Sequence, residues 1–114
     1  MEIQEGRSGD VLVVTPRGRV DSTTSGDLEQ RLLDLLGSGQ RRLVLDLAGI
    51  EYISSAGLRV LLVVAKRLKT AQGDLVLCAL TPAVRQVFEL AGFLSIFQLE
   101  DSREAALARL APPR

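Results

Sequence analysis

The chain has 114 residues, 46% of them apolar, with 14 basic and 14 acidic side chains. That length supports one ordinary hydrophobic core, and zero net charge offers no electrostatic footprint for nucleic acid or an anionic membrane. The absence of histidine removes the usual general base and the commonest metal ligand, and a lone cysteine, Cys78, can form no internal disulfide.

Residues 2–5 read as a short first strand, and Gly6, Ser8, Gly9 and Asp10 as a turn. Residues 11–15 read as a second strand forming a hairpin with the first, interrupted by Pro16 and Gly18. The cluster at 22–26 offers several helix N-caps, and Leu28, Leu32, Leu35 and Leu36 then recur at helical spacing, with Gly37 placed to end the helix. Residues 43–47 are short and apolar, as in a central strand covered on both faces. Asp46 breaks that run and is expected to face a cavity or a backbone group.

Residues 50–54 read as a loop leading into a second helix from about Ser55 to Thr70. Leu58, Leu61, Leu62, Ala65 and Leu68 are its expected core stripe, with Val60, Val63 and Val64 off that stripe beside Arg59 and Arg67. Those valines admit two readings, a wide core face against a neighbouring helix or an apolar docking patch. Residues 75–80 make another buried strand that holds Cys78 as an inert core residue. Thr81-Pro82 is an N-cap with proline at the first helical position, before a helix buried through Val84, Val87, Phe88 and Ala91 and ended by Gly92. Residues 94–99 are a last strand, and Asp101 with Glu104 an acidic capping box before a final helix over 105–110. The expected order is β-β-α-β-α-β-α-β-α, an α/β fold with a mixed sheet, an antiparallel N-terminal edge and four helices. One domain is expected over residues 1–114, with 111–114 a frayed tail.

The chemistry concentrates at Ser54 and Ser55, at the mouth of the second helix. A hydroxyl there can cap the helix, act as a nucleophile or carry a phosphate. Asp21 and Asp46 are candidate bases, but no histidine links them to serine, so an enzyme is not expected. Neither Lys nor Arg occurs in 49–56, which weakens free phosphate or nucleotide binding. Covalent phosphate would meet the positive end of the helix and alter the surface without melting the fold. Two plain capping serines remain the simpler reading. No metal or cofactor is expected. The first residues lack the regions of a signal peptide and no apolar run spans a bilayer, so a cytoplasmic location is expected.

At these residues the sequence resembles the STAS-domain proteins of the anti-sigma factor antagonist (anti-anti-sigma factor) type. Ser54-Ser-Ala-Gly-Leu58 resembles that family's Asp-Ser-Ser-Gly-Leu signature between a strand and an apolar helix. Gly18-Arg-Val-Asp21 is similar to its Gly-x-hydrophobic-Asp motif, and Gly73-Asp-Leu-Val-Leu-Cys-Ala-Leu-Thr-Pro-Ala-Val-Arg85 and Phe88-Glu-Leu-Ala-Gly92 to its later strand and helix. The resemblance covers nearly the whole chain. It implies a single STAS-type domain and a non-enzymatic phosphorylation switch. It also implies Ser55, two positions before Gly57, as the acceptor, with Ser54 as the second candidate.

The implied partners are an anti-sigma factor serine kinase, which would supply ATP and magnesium, and a PP2C-type phosphatase. When unphosphorylated, the antagonist would sequester the anti-sigma factor and so release a sigma factor. The expected contact comprises Asp21, Ser54, Ser55, Ala56, Gly57, Arg59, Val60 and Val63. Two family positions differ, since Ser54 stands where an acid is usual and Ala56 where a second serine is usual. Asp21 is expected either to orient the loop or to cap the first helix. The free protein is expected to be a monomer, without nucleic-acid or membrane partners. The alternative function is a STAS scaffold or regulatory subunit of a transporter or signalling complex, without phosphorylation. A nucleotide-binding module is a third.

Overall fold

The computed structural model describes residues 1–110, and the tail expected at 111–114 lies outside the described residues. The elements are β1 (Glu2–Ser8), β2 (Val11–Val20), α1 (Ser25–Gly37), β3 (Arg42–Asp46), β4 (Ile50–Ile53), α2 (Ser55–Thr70), β5 (Asp74–Cys78), α3 (Pro82–Leu90), β6 (Gln98–Glu100) and α4 (Arg103–Leu110). The sheet runs β1-β2-β3-β5-β6, with β4 beside the end of β2. Among the described residues, only β1 is antiparallel to its neighbour. This is the expected α/β class with an antiparallel edge and four helices. It adds one short strand, β4, where a loop was expected.

Side-chain alternation divides the core in two, because successive residues of a strand face opposite sides. Leu12, Val14, Leu43, Leu45, Leu75 and Leu77 face one side, where they pack with α1, α2 and α3. Val11, Val13, Val44, Val76 and Cys78 face the other, where α4 covers them through Ala106 and Leu110. The bulkier leucines meet the three-helix layer and the smaller side chains meet the single short helix. Burial pushes the Cys78 thiol up to about 12, and the Asp46 carboxylate adds to the shift, so this cysteine is an inert core group as expected.

Strand β2 is longer than its sequence suggests. Pro16 and Gly18 do not end it. Residues Leu12–Val14 pair with β3, and Gly18–Val20 pair with β4, with a register shift between Gly18 and Arg19. Pro16, which has no N–H to donate, lies opposite Ile3 of β1 and, on the other side of β2, falls between the pairings with β3 and β4. Gly18 takes φ +109°, open to glycine without strain, and lets the strand change partner.

Helix α4 is tied to the sheet by an Arg109–Glu100 ion pair, by an Arg42 donor to the Leu110 carbonyl and, most deeply, by a polar clasp at Asp46. The Asp46 carboxylate is buried, at 7% exposure, and accepts from Arg103 Nε at 2.9 Å and from the Ala48 N–H at 3.0 Å. Arg103 also donates to Thr15 Oγ1 at 2.9 Å. Asp46 therefore faces both a backbone group, as expected, and an arginine far away in sequence. The cap of α4 is Ser102, whose hydroxyl accepts from the Ala105 N–H at 3.1 Å, in place of the expected Asp101. Thr81 caps α3 as expected, accepting from the Val84 N–H at 3.3 Å with Pro82 at the first helical position. The last strand is confined to Gln98–Glu100, because 94–96 form a turn after α3.

Arg103→Ala removes the partner of a buried carboxylate and leaves it one backbone donor. The expected loss is about 1–3 kcal/mol of stability in urea denaturation. An unchanged midpoint would show that the clasp contributes nothing.

Candidate functional site

The serine pair is placed by the parallel pairing of β2 and β4. Arg19 lies opposite Tyr52 and Val20 opposite Ile53, and the Ser54 N–H then donates to the Val20 carbonyl at 2.8 Å. Asp21 and Ser54 are thus the next residues out along adjacent strands, which lie about 4.8 Å apart. The geometry brings together Asp21, Ser54 and Ser55, three residues expected to share a site.

The two serines have different tasks. Ser54 is extended, with φ −91° and ψ 174°, and its hydroxyl accepts from the Gly57 N–H at 3.3 Å as the N-cap of α2. Ser55 is the first helical residue and is exposed. Its hydroxyl makes no hydrogen bond among the described residues, and the first turn of α2 carries no acidic side chain. The free hydroxyl at the positive helix end is therefore that of Ser55.

Asp21 shapes the neighbouring turn. Its Oδ1 accepts from the Thr23 N–H at 2.9 Å, the Thr23 hydroxyl at 2.7 Å and the Thr24 N–H at 3.2 Å. The bonds from Thr23, hydroxyl first and then N–H, with smaller help from Thr24, hold its carboxyl below the ordinary aspartate value. Asp21 forms the turn ahead of α1 and does not sit in the cap position, which belongs to Thr24. The Thr24 hydroxyl donates to the Arg19 carbonyl at 2.6 Å, tying this turn back to the end of β2.

A family model described as the STAS domain matches residues 2–106. A Bordetella bronchiseptica protein, BtrV, named as a candidate anti-sigma factor antagonist, is 49% identical over all of both chains. The chain belongs to the STAS domain family. Its anti-sigma factor antagonist branch consists of non-enzymatic regulatory binding proteins. The crystal structure of an anti-sigma factor antagonist from Mycobacterium paratuberculosis superposes with a TM-score of 0.87 at 28% identity, covering 96% of this chain and 92% of that one. SpoIIAA of Bacillus in its phosphorylated form shares the fold, with a TM-score of 0.73 at 17% identity over 96% and 100% of the two chains.

On this STAS domain, two residues expected in the contact face are inside. Val60 is only 5% exposed, and it joins Val64 in the same core as Leu28, Leu32, Leu35 and Leu36 of α1. Helix α1 lies against α2, so α2 buries two sides, and the wide core face is the correct reading of Val60 and Val64, while Val63 stays half-buried outside that core. Leu62 and Ala65, expected at the centre of the buried stripe, are only half-buried at its margin. Gly57 is also buried, where a Cβ would stand 2.6 Å from Val20 Cγ1 and 2.7 Å from Ile53 Cγ1. It is a packing residue and not a contact residue. The accessible members of the expected set are Ser55 and Arg59, with Asp21, Ser54, Ala56 and Val63 partly exposed.

Two residues at this corner escaped the sequence reading. Tyr52 is 39% exposed, and the Arg19 guanidinium sits 4.4 Å from its ring centroid. Their only sequence signal is one aromatic in a polar stretch beside a basic residue near a glycine. A broad concavity of about 900 Å³ opens elsewhere, lined by Arg17, Gly49, Glu51, Thr81 and neighbours. It includes neither Ser54 nor Ser55.

Two predictions separate these roles. Ser54→Ala removes the cap of α2 and is expected to cost about 1 kcal/mol, whereas Ser55→Ala is expected to change stability by less than about 0.5 kcal/mol. Paired thermal melts decide, and equal losses would refute the division. Gly57→Ala gains up to about 1 kcal/mol of helix propensity but incurs about 1–3 kcal/mol of overpacking. Net destabilisation is expected in urea titration, and a stabilised variant would show that Val20 and Ile53 yield freely.

Proposed function

We propose that the protein is an anti-sigma factor antagonist that binds an anti-sigma factor serine kinase when unmodified, and that phosphorylation of Ser55 breaks the complex. The observation that carries this reading is the exposed, uncommitted Ser55 hydroxyl at a helix mouth whose cap is supplied by Ser54. Support for the binding class comes from the full-length similarity to BtrV and its name. SpoIIAA, which shares the fold, provides a precedent for a phosphorylated form.

In the transfer step, the Ser55 oxygen attacks the terminal phosphorus of ATP held by the kinase. The new oxygen–phosphorus bond replaces the one to ADP, and the hydroxyl proton passes to a base on the kinase. A PP2C-type phosphatase returns the serine by hydrolysis. The added group carries about −1.5 to −2 charge. The existing cap stays in place, so the domain keeps its fold while its surface changes. The contact surface comprises Ser55, Arg59, the Asp21 turn and the half-buried margin of α2 at Ala56 and Val63. Arg19 and Tyr52 extend it at the end of β2 and β4. Action as a one-domain cytoplasmic monomer belongs to the same reading.

Affinity capture with the unmodified protein, followed by titration of the recovered kinase, tests it. Ser55→Ala is expected to bind as wild type, and Ser55→Asp to bind at least about tenfold more weakly, or about 1.4 kcal/mol. Equal binding by both variants would favour a constitutive scaffold and refute the switch.

A further inference from the structure

Helix α2 carries Arg59, Lys66, Arg67 and Lys69 and no carboxylate. None of these four cations is in an ion pair among the described residues, a state they share with Arg7, Arg19, Arg41 and Arg85, whereas Arg17, Arg31, Arg42, Arg103 and Arg109 are paired. Arg67 and Lys69 lie in the last turn, where the negative helix end favours them. Lys66 is close to the same end. Arg59 has no such explanation. It stands in the second turn, far from the negative end, where the helix dipole offers a cation nothing. It is exposed.

The residue one turn before Arg59 is Ser55. Side chains at i and i+4 of a helix lie on one face with Cβ atoms about 5–6 Å apart. Helical side chains also lean toward the N-terminus, so a long side chain at 59 reaches back over position 55. Leu58 and Val60, on either side of Arg59 in sequence, are buried, which keeps position 59 on the open face with Ser55.

We propose that Arg59 is the built-in counter-ion of phosphorylated Ser55. The inference rests on the phosphoserine reading above. The guanidinium fork donates to two phosphate oxygens, a geometry that lysine lacks. Other charged groups near this corner are Asp21 on the adjacent turn and Arg19, which is stacked on Tyr52; Glu51 of β4 lines the concavity elsewhere. The Asp21 carboxylate disfavours a second phosphate charge, and Arg59 offsets it. In the unmodified protein Arg59 is free to reach a partner. Phosphorylation then changes the contact surface twice at one place, adding an anion and withdrawing a cation.

The test needs no kinase. Phosphoserine is installed at position 55 during synthesis, and the phosphate is titrated by phosphorus NMR in the Arg59 protein, in Arg59→Gln and in Arg59→Lys. The midpoint of free phosphoserine is about 6. The Arg59 protein is expected to titrate at least about half a pH unit below Arg59→Gln, because the cation favours the doubly charged phosphate. Arg59→Lys is expected to fall between them. One common midpoint for all three would overturn the ion pair while leaving the binding switch untouched. Conversely, an ineffective Ser55→Asp in the capture experiment would remove the switch while leaving this pair standing.

Discussion

The placement of the serine pair depends on how closely α2 approaches the ends of β2 and β4. That approach is possible because Gly57 has no side chain to set against Val20 and Ile53. With the helix seated there, the Ser54 N–H reaches the Val20 carbonyl and its hydroxyl reaches the Gly57 N–H. Two hydrogen bonds and one steric gap thus fix the helix mouth. Ser55 is left over from this arrangement, held in position by its neighbours without being used by them. A modifiable group benefits from such a setting, because chemistry on it disturbs no bond the fold requires.

Most of the architecture could be read from the chain. Strands at 43–47 and 75–80 declared themselves by short apolar runs, and Thr81-Pro82 by its cap chemistry. Strand β4 could not be read, because its buried ends, Ile50 and Ile53, flank the exposed pair Glu51 and Tyr52. That pattern matches neither a period of two nor a continuous apolar run. Pro16 and Gly18 looked like breaks because the sequence cannot reveal that a strand is exchanging one neighbour for another.

The phase of α2 was misjudged for a different reason. Residues 60–65 are six consecutive apolar side chains, so periodicity alone cannot say which of them face inward. Packing of α1 along α2 decides it, and that is tertiary information. The division of labour between Ser54 and Ser55 is equally invisible to composition, since both are serines at a helix start. It appears only in the cap geometry. The partner of Asp46 was out of reach because Arg103 is 57 residues away.

The chemical silence of Cys78 has a practical consequence. Cys78 is fully buried, and burial pushes its thiol up to about 12, so hardly any thiolate is present at neutral pH. Oxidants and alkylating reagents therefore find little to attack in the native protein. A cysteine introduced on the surface would be labelled almost alone, so a single fluorophore can be set beside the helix mouth without first removing the natural cysteine.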